Sequence, residues 1–242
     1  MSRRSPLTVH WRTGGRRAPR DVLRLRADAD RHVVTMANAF DSGFATSWPA
    51  GSRLLLDRFD RFWAGGRGPT PERLAGAFRA ARDSFCTMAT SLVPRDPDFP
   101  EASPAATLLV AVVERDRVHV RWLGGDQALL ARRGMVVARM RPHSLRERSR
   151  GLVPDPSTLP NVLSRTICAD QPEHLSDATT FGVAPGDWLV LLSRTAFHGP
   201  CVSPERAAEL TASDADRSMA ATIAAEASTD APYVAVAALL LS

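Results

Sequence analysis

The stretch GDWLVLLSRTAFHG, residues Gly186 to Gly199, decides the fold because it joins an apolar run to a polar turn. The segment from Asp187 to Ser193 predicts a buried β-strand, since it is short, apolar and preceded by a glycine. Strands that leave a core in this way commonly deliver a carboxylate to a divalent cation, but here Arg194 and His198 stand in the turn. A guanidinium about 4 Å from a doubly charged ion costs about 8 kcal/mol at an effective dielectric of about 20. The stretch therefore indicates a strand end of the kind that carries metal ligands, but without the acidic residues that would bind the metal.

Length and composition predict one domain spanning residues 1–242. The chain is 44% hydrophobic, and a chain of this length buries about 70% of its unfolded surface without disulfides or a structural metal. The three cysteines, Cys86, Cys168 and Cys201, are far apart and form no CxxC pair, so we expect free thiols. No stretch reaches the roughly 18 apolar residues that a membrane span needs, and the opening residues contain no apolar signal region. We expect a cytoplasmic protein that does not contact a membrane.

The basic residues do not favour a nucleic-acid surface. The sequence contains 31 arginines and no lysine, with a formal net charge of +5. The arginines are spread along the chain and do not alternate with aromatic residues, as a nucleic-acid surface would favour. The densest group, Arg12, Arg16, Arg17 and Arg20, is typical of a solvated segment. We therefore expect no nucleic-acid partner.

The first half of the chain predicts a strand followed by two helices. The apolar run from His32 to Phe40 is typical of a buried strand that ends in a turn. A helix is predicted from Ser52 to the glycines at 65 and 66. A second, long amphipathic helix is predicted from about Thr70 to about Ser91, with Thr70 as its N-cap.

The second half predicts a sheet followed by helices and a last strand. Residues 106–140 predict an antiparallel meander with turns at Arg115-Asp116 and Arg133-Gly134. The further predicted elements are a short helix around Leu145 to Arg150, helices at Pro204 to Thr211 and Ala215 to Ser228, and a strand at Tyr233 to Ser242. Strands grouped with helices, rather than alternating with them, favour an α+β layered domain.

Four stretches in one order carry a resemblance to a known family. They are WLGGDQALLARRG (Trp122 to Gly134), RPHSLRERSR (Arg141 to Arg150), LPNVLSRTICAD (Leu159 to Asp170) and the run from Gly186 to Gly199. They resemble, in order, the V-G-D-S-R-A-Y-L-L-R-D-G, D-H-S-L, N-V-L-T-R-A-L-G-x-D and G-D-x-L-L-L-C-S-D-G-L-T-D-G segments of the PPM, or type 2C, metal-dependent serine/threonine phosphatases. The resemblance implies a four-layer αββα sandwich of two antiparallel β-sheets flanked by helices.

The resemblance also implies where the acids and the phosphate-binding arginine should lie. The family's chemistry uses two divalent ions, which activate a water for attack on a phosphate monoester. Its R-x-x-N-E-D pattern is similar to the run from Arg16 to Asp21, in which Arg16 keeps the place of the phosphate-binding arginine and Arg20 replaces an acid. Its D-G-M-G-G strand end is similar to ANAFDSG, where either Asn38 or Asp41 takes the place of the first metal ligand.

The acids of the third segment differ in the same direction, whereas the last acid is kept. The family's S-D-G is replaced by Ser193, Arg194 and Thr195, and the later acid of that turn by His198. Asp230 keeps the place of the last acid. Arg194 is either a ligand for an anion at the former metal site or a counter-ion for Asp230. The simpler of the two interpretations is a salt bridge between Arg194 and Asp230. His198 has no second histidine at ligand spacing, so we expect no metal ligand there.

Three functional hypotheses follow from these residues. The first is a pseudophosphatase that is not an enzyme and has no cofactor. It binds a protein partner, either a phosphorylated one at a site lined by Arg16, Arg20 and Arg194 or one on a surface elsewhere. The second is a divergent phosphatase that holds one magnesium or manganese ion with Asp41, Asp230 and Asp21. Nucleic-acid binding through the arginines is the least favoured of the three alternatives.

Overall fold

The computed structural model describes residues 7–14, 22–28, 31–41, 48–92, 104–159, 162–171, 174–193, 202–212, 220–223 and 234–241. Its strands are β1 (Leu7–Gly14), β2 (Val22–Asp28), β3 (Arg31–Asp41), β4 (Pro104–Val113), β5 (Arg117–Leu123), β6 (Gln127–Arg132), β7 (Met135–Arg139), β8 (Ile167–Cys168), β9 (Asp177–Gly182), β10 (Trp188–Leu192) and β11 (Val234–Leu241). Its helices are α1 (Pro49–Gly65), α2 (Thr70–Leu92), α3 (Leu145–Arg148) and α4 (Pro204–Leu210). Residues 220–223 are also helical, and Pro156–Thr158 form a 3-10 turn.

The strands form two antiparallel sheets. One sheet has the order β1-β11-β10-β6-β7, and the other has the order β2-β3-β4-β5-β9 with β8 paired to β4. All the pairs between these strands are antiparallel. Helices α1 and α2 cover the outer face of the β3 sheet, and α4 covers the outer face of the β10 sheet. The predicted α+β sandwich of two sheets flanked by helices is confirmed.

Successive side chains along the buried strands point to opposite faces of the sheet, and this alternation produces three apolar layers. In β3, Val34 and Met36 face the layer between the sheets, whereas Val33 and Ala37 face α1 and α2. This period of two is what a strand buried on both faces requires. In β10, Leu189 lies in the layer between the sheets, as the apolar run there predicts.

The two long helices are confirmed, with different local details at their starts. Helix α1 begins at Pro49, earlier than predicted, and the Ser52 hydroxyl inside it accepts a 2.7 Å hydrogen bond from the Ala39 N–H. Helix α2 begins at Thr70, whose hydroxyl donates a hydrogen bond to Glu114. Phe78 is buried against α1 and the sheet, so this face of α2 is core.

The predicted meander over residues 106–140 is wrong in its middle. The pairs β4–β5 and β6–β7 are hairpins, but β5 and β6 belong to different sheets. The chain crosses between the sheets at Gly124, Gly125 and Asp126, where Gly124 has a φ of +125°. That backbone conformation strongly favours glycine, and it turns β6 away from β5 instead of back along it.

The remaining predictions have mixed outcomes. The short helix at 145, the helix at 204 and the last strand are confirmed as α3, α4 and β11. Strands β1, β2, β8 and β9 were not predicted, and Arg12 of the expected solvated segment lies in β1, opposite Val236. Within the described part of the chain, no helix is long and apolar enough to cross a membrane.

Candidate functional site

Four buried polar side chains lie at one end of the layer between the sheets. They are Asn38, Thr107, Asp126 and Ser193, here called the polar row, and each is at most 9% exposed. Buried polar groups in an otherwise apolar layer cost free energy unless they are paired, so they mark a place with a structural or functional demand.

Strand register places the first two members side by side. Asn38 on β3 is the cross-strand partner of Thr107 on β4. By alternation, Asn38 shares the face of Val34 and Met36, and Thr107 shares the face of Leu109, so both side chains face the other sheet.

Asp126 joins this row from the crossing turn. The Thr107 hydroxyl donates a 2.7 Å hydrogen bond to Oδ2 of Asp126. A Cβ on Gly124 would lie 2.4 Å from the Cβ of Thr107, so the turn needs a glycine to bring Asp126 this close. The hydrogen bond therefore ties the β5–β6 crossing to the start of β4.

Ser193 completes the row from the other sheet. Leu192 is the partner of Gln127, so Ser193 and Asp126 each extend a paired strand by one residue at the same end. The Ser193 N–H donates to the Ala235 carbonyl at 2.9 Å, and its hydroxyl accepts from the Ala235 N–H at 3.0 Å. Ser193 thus fixes the start of β11, and the next residue in the chain is Arg194.

Solved structures with this architecture include serine/threonine phosphatases. The chain matches a serine/threonine phosphatase of S. agalactiae with a TM-score of 0.80 at 14% identity, over 98% of this chain and 100% of that one. The catalytic domain of PstP, in complex with two manganese ions, gives 0.75 at 16% identity, over 97% and 98%. The chain has the PPM phosphatase fold.

A third solved structure with the PPM fold is described as a regulatory component. PppA, a key regulatory component of T6SS in Pseudomonas aeruginosa, gives a TM-score of 0.72 at 15% identity, over 98% of this chain and 99% of that one. The sequence matches no protein-family model and no curated protein. Since all three identities are low, the chemistry of this PPM-fold chain has to be argued from its own residues.

Asn38 is the member of the polar row whose bonding is incomplete. Its Oδ1 is buried and accepts no hydrogen bond from the residues that the structure describes. Such an unsatisfied oxygen costs about 1–3 kcal/mol. An amide oxygen can bind a hard cation or accept from a ligand hydroxyl or amine, but it repels a phosphate oxygen.

The described residues do not by themselves supply a divalent-metal site. They contain no group of three or more His, Cys, Asp or Glu that could hold a metal ion. In the polar row, Asp126 offers a carboxylate and Asn38 an amide oxygen, whereas magnesium and manganese take about six ligands, mostly carboxylates and waters. We therefore derive no chemical step through a metal.

The structure describes few of the site residues predicted from the sequence. Arg16, Arg20, Arg194 and Asp230 lie outside the described ranges, as does His198. Asp41 is the last residue of β3, opposite Pro104, and Asn38 lies three positions earlier in the polar row.

Asp126 is the site residue that the sequence prediction missed. The predicted meander gives Asp126 only a turn position between two strands, whereas the residue is 1% exposed and accepts a hydrogen bond from Thr107 of the other sheet. The Gly-Gly-Asp sequence before an apolar run was the available signal, and it could have indicated a tight crossing that carries a carboxylate inward.

A histidine beside the crossing organises the neighbouring loop. His143 is buried, its Nδ1 accepts from the Gly124 N–H at 3.1 Å, and its Nε2 lies 3.0 Å from Oδ2 of Asp177. The Gly124 N–H can only donate, so Nδ1 is the acceptor and Nε2–H donates to Asp177. Burial lowers the pKa of His143, although the bond to Asp177 opposes the shift. His143 thus holds the loop after β7 against the crossing turn.

Asp177 also binds an arginine. Arg165 Nη2 lies 2.6 Å from Oδ2 of Asp177 and contacts His143 Nε2. Burial alone would raise the pKa of Asp177, but the hydrogen bonds from Arg165 and His143 outweigh it and leave the pKa lowered. The carboxylate is therefore ionised and already paired.

Proposed function

We propose that this PPM-fold chain is a pseudophosphatase that binds a phosphorylated protein and does not hydrolyse phosphate esters. The observation that carries the proposal is Asn38, a neutral amide in the polar row at one of the two places where the PPM resemblance puts the first metal ligand. With an amide there, the site loses one of the negative charges that attract divalent cations.

Arg194 supports the same conclusion. It follows Ser193 directly, and Ser193 is held at the end of the polar row by its bonds to Ala235. A guanidinium in place of a carboxylate changes the local charge by two units, which disfavours a metal and favours an anion. Arg16 and Arg20 are proposed as the further phosphate-binding arginines, and Asp41 and Asp230 as remnants of the metal site.

A hydrolysis assay tests the loss of activity. We expect the purified chain to show no hydrolysis of an aryl phosphate that depends on magnesium or manganese. Manganese-dependent hydrolysis that disappears in Asp230→Ala would overturn the proposal.

A gain of metal binding tests whether the replaced acids are the reason for the loss of activity. The double variant Asn38→Asp, Arg194→Asp restores two acids, so we expect titration calorimetry to detect manganese binding that the native chain lacks at millimolar metal. Arg53→Asp with Arg61→Gln, on the exposed side of α1, is the charge-matched control. Equal manganese binding by both double variants would mean that the two positions have no special relation to a metal.

A second candidate function is a divergent, active, metal-dependent phosphatase. It is favoured by the buried Asp126 carboxylate in the polar row. In this case Asp41, Asp230 and Asp21 would hold one magnesium or manganese ion and Arg16 would position the phosphate. Calorimetry that detects no manganese binding by the native chain at millimolar concentration removes this candidate.

A further inference from the structure

A second basic region lies beside the polar row. It is a cleft of about 550 Å³ between the loop at 141–151 and the residues at 164, 165 and 177. We call it the arginine cleft, because four arginines line it: Arg141, Arg148, Arg150 and Arg165. Its carboxylates are Glu147 and Asp177.

Both carboxylates of the arginine cleft are already paired. Asp177 binds Arg165 at 2.6 Å, and Glu147 binds Arg150 at 3.2 Å. Glu147 is also 3.7 Å from Arg139, outside the cleft lining. No negative charge of the described lining is therefore left for the other two arginines.

Arg141 and Arg148 are those two arginines. Both are exposed, and neither has a carboxylate partner among the described residues. Burial lowers the pKa of His143 in the same wall, so at neutral pH the imidazole adds no charge. Four arginines against two carboxylates leave the described lining with two surplus positive charges.

The walls of the cleft are held in place before any ligand binds. The Ser144 hydroxyl accepts from the Glu147 N–H at 3.2 Å, and the Glu147 side chain is only 8% exposed between its two arginines. Arg165 donates from Nη1 to the Leu175 carbonyl at 3.2 Å. A prearranged cationic wall lowers the ordering cost of binding an anion.

Apolar side chains are exposed next to these charges. Leu152, beside Gly151 of the lining, is 80% exposed, and Leu175, whose carbonyl holds Arg165, is 64% exposed. Val162, whose carbonyl accepts from the Leu145 N–H, is 52% exposed. A surface that places apolar groups around a cationic cleft fits a peptide better than a small inorganic anion.

The arginine cleft is continuous with the surroundings of the polar row. An adjoining cleft of about 490 Å³ shares Pro142, Ser144, Glu147 and Arg150 with it. The adjoining cleft extends to Gly125 and Gln127, the two neighbours of Asp126 in the chain. A single extended peptide can therefore pass from the arginine cleft to the end of the sandwich.

We propose that the arginine cleft binds the phosphoryl group of a phosphorylated peptide segment through Arg141 and Arg148, with apolar residues of that segment packed on Leu152 and Leu175. The proposal rests on the proposed function and specifies its ligand. Two surplus guanidiniums match a phosphoryl group of about two negative charges, which arginine binds in bidentate fashion. The described lining contains no Phe, Tyr or Trp on which nucleic-acid bases could stack, so a peptide is favoured over RNA.

The test uses the full chain and a short fluorescent peptide that carries one phosphothreonine flanked by leucines. We expect Arg141→Glu with Arg148→Glu to weaken its binding at least about tenfold, because two charge-assisted contacts become repulsive. Arg53→Glu with Arg61→Glu, an equal charge change on α1, is the control and should bind like the native chain. Amide chemical shifts of residues 141–151 should move on titration of the native chain.

The outcomes distinguish a failure of the cleft proposal from a failure of the proposed pseudophosphatase function. Unchanged binding by the cleft variant, with binding lost in Arg194→Glu, overturns the cleft and leaves the proposed function standing. The reverse pattern supports the cleft and rejects Arg194 as the anion site. No preference for the phosphorylated over the unphosphorylated peptide overturns both. Oligouridine and unlabelled phosphopeptide are also compared as competitors of the fluorescent peptide. If oligouridine displaces it at the lower concentration, the cleft binds RNA and the proposal is overturned.

Discussion

The hydroxyl of Thr107 donates a 2.7 Å hydrogen bond to the Asp126 carboxylate, and this bond links the start of β4 in one sheet to the residue before β6 in the other. Thr35, on β3, is equally buried, yet its hydroxyl makes no hydrogen bond within the described part of the chain. Two threonines with the same burial thus differ in whether their hydroxyl is used. This difference gives a matched pair of substitutions.

Thr107→Val should destabilise the protein, whereas Thr35→Val should not. Losing the bond to a buried carboxylate costs about 1–3 kcal/mol, while replacing an unsatisfied buried hydroxyl by a methyl group is neutral or stabilising. Reversible urea unfolding measures both changes. An equal loss in the two variants would mean that the Thr107–Asp126 bond contributes nothing specific to stability.

Gly124→Ala should be strongly destabilising. The residue has a φ of +125°, and its new Cβ would meet the Thr107 Cβ at 2.4 Å. Strain and overpacking together should cost about 3 kcal/mol in unfolding free energy. The control is Gly76→Ala in α2, where nothing lies within 4 Å of the new Cβ and helix propensity should add about 0.5–1 kcal/mol of stability. A mild effect at Gly124 would contradict the close crossing of the chain between the sheets.

The same crossing shows why the sequence predicted the elements better than their arrangement. The strand at 188–192 is a continuous apolar run and both long helices have helical apolar periodicity, so their local pattern was sufficient. Strands β5 and β6 have the same local pattern as a hairpin, and only packing between two sheets separates them. Strand β9, with exposed Ala178 and Thr180, has too few apolar residues to be recognised.

The sequence indicated which strand ends form the candidate site better than it indicated which residues belong to it. The resemblance directed attention to the ends of β3 and β10, and the polar row does include Asn38 and Ser193 from those strands. Asp126 was missed because its burial depends on Thr107, a partner in another sheet that no local pattern reveals. Arg194 and Asp230 lie outside the described residues, so their roles stay predictions.

Asp187→Asn should loosen the entry into β10. The Asp187 carboxylate accepts from Arg132 at 2.7 and 2.9 Å and from the Ala184 N–H at 2.8 Å. The bonds from Arg132 are the main reason that its pKa is lowered, so its contribution to stability is present above about pH 4 and is lost at lower pH.

At neutral pH, Asp187→Asn should cost about 2 kcal/mol, because a buried acceptor loses charge-assisted bonds. Asp116→Asn, in an exposed pair with Arg117, is the control and should leave the unfolding free energy almost unchanged. Urea unfolding at pH 7 and at pH 3 checks the prediction. The difference between native protein and Asp187→Asn should shrink at the lower pH, and a constant difference would show that ionisation of Asp187 is not involved.

His143 should make the protein less stable in mild acid. Burial lowers its pKa in the folded state, so the unfolded chain takes up the proton more readily and stability falls as the pH drops below about 6.5. His143→Gln should flatten the dependence of the unfolding free energy on pH between about 8 and 5. Part of the slope should remain, because burial also lowers the pKa of His32. An unchanged slope in His143→Gln would show that protonation at this position does not oppose folding.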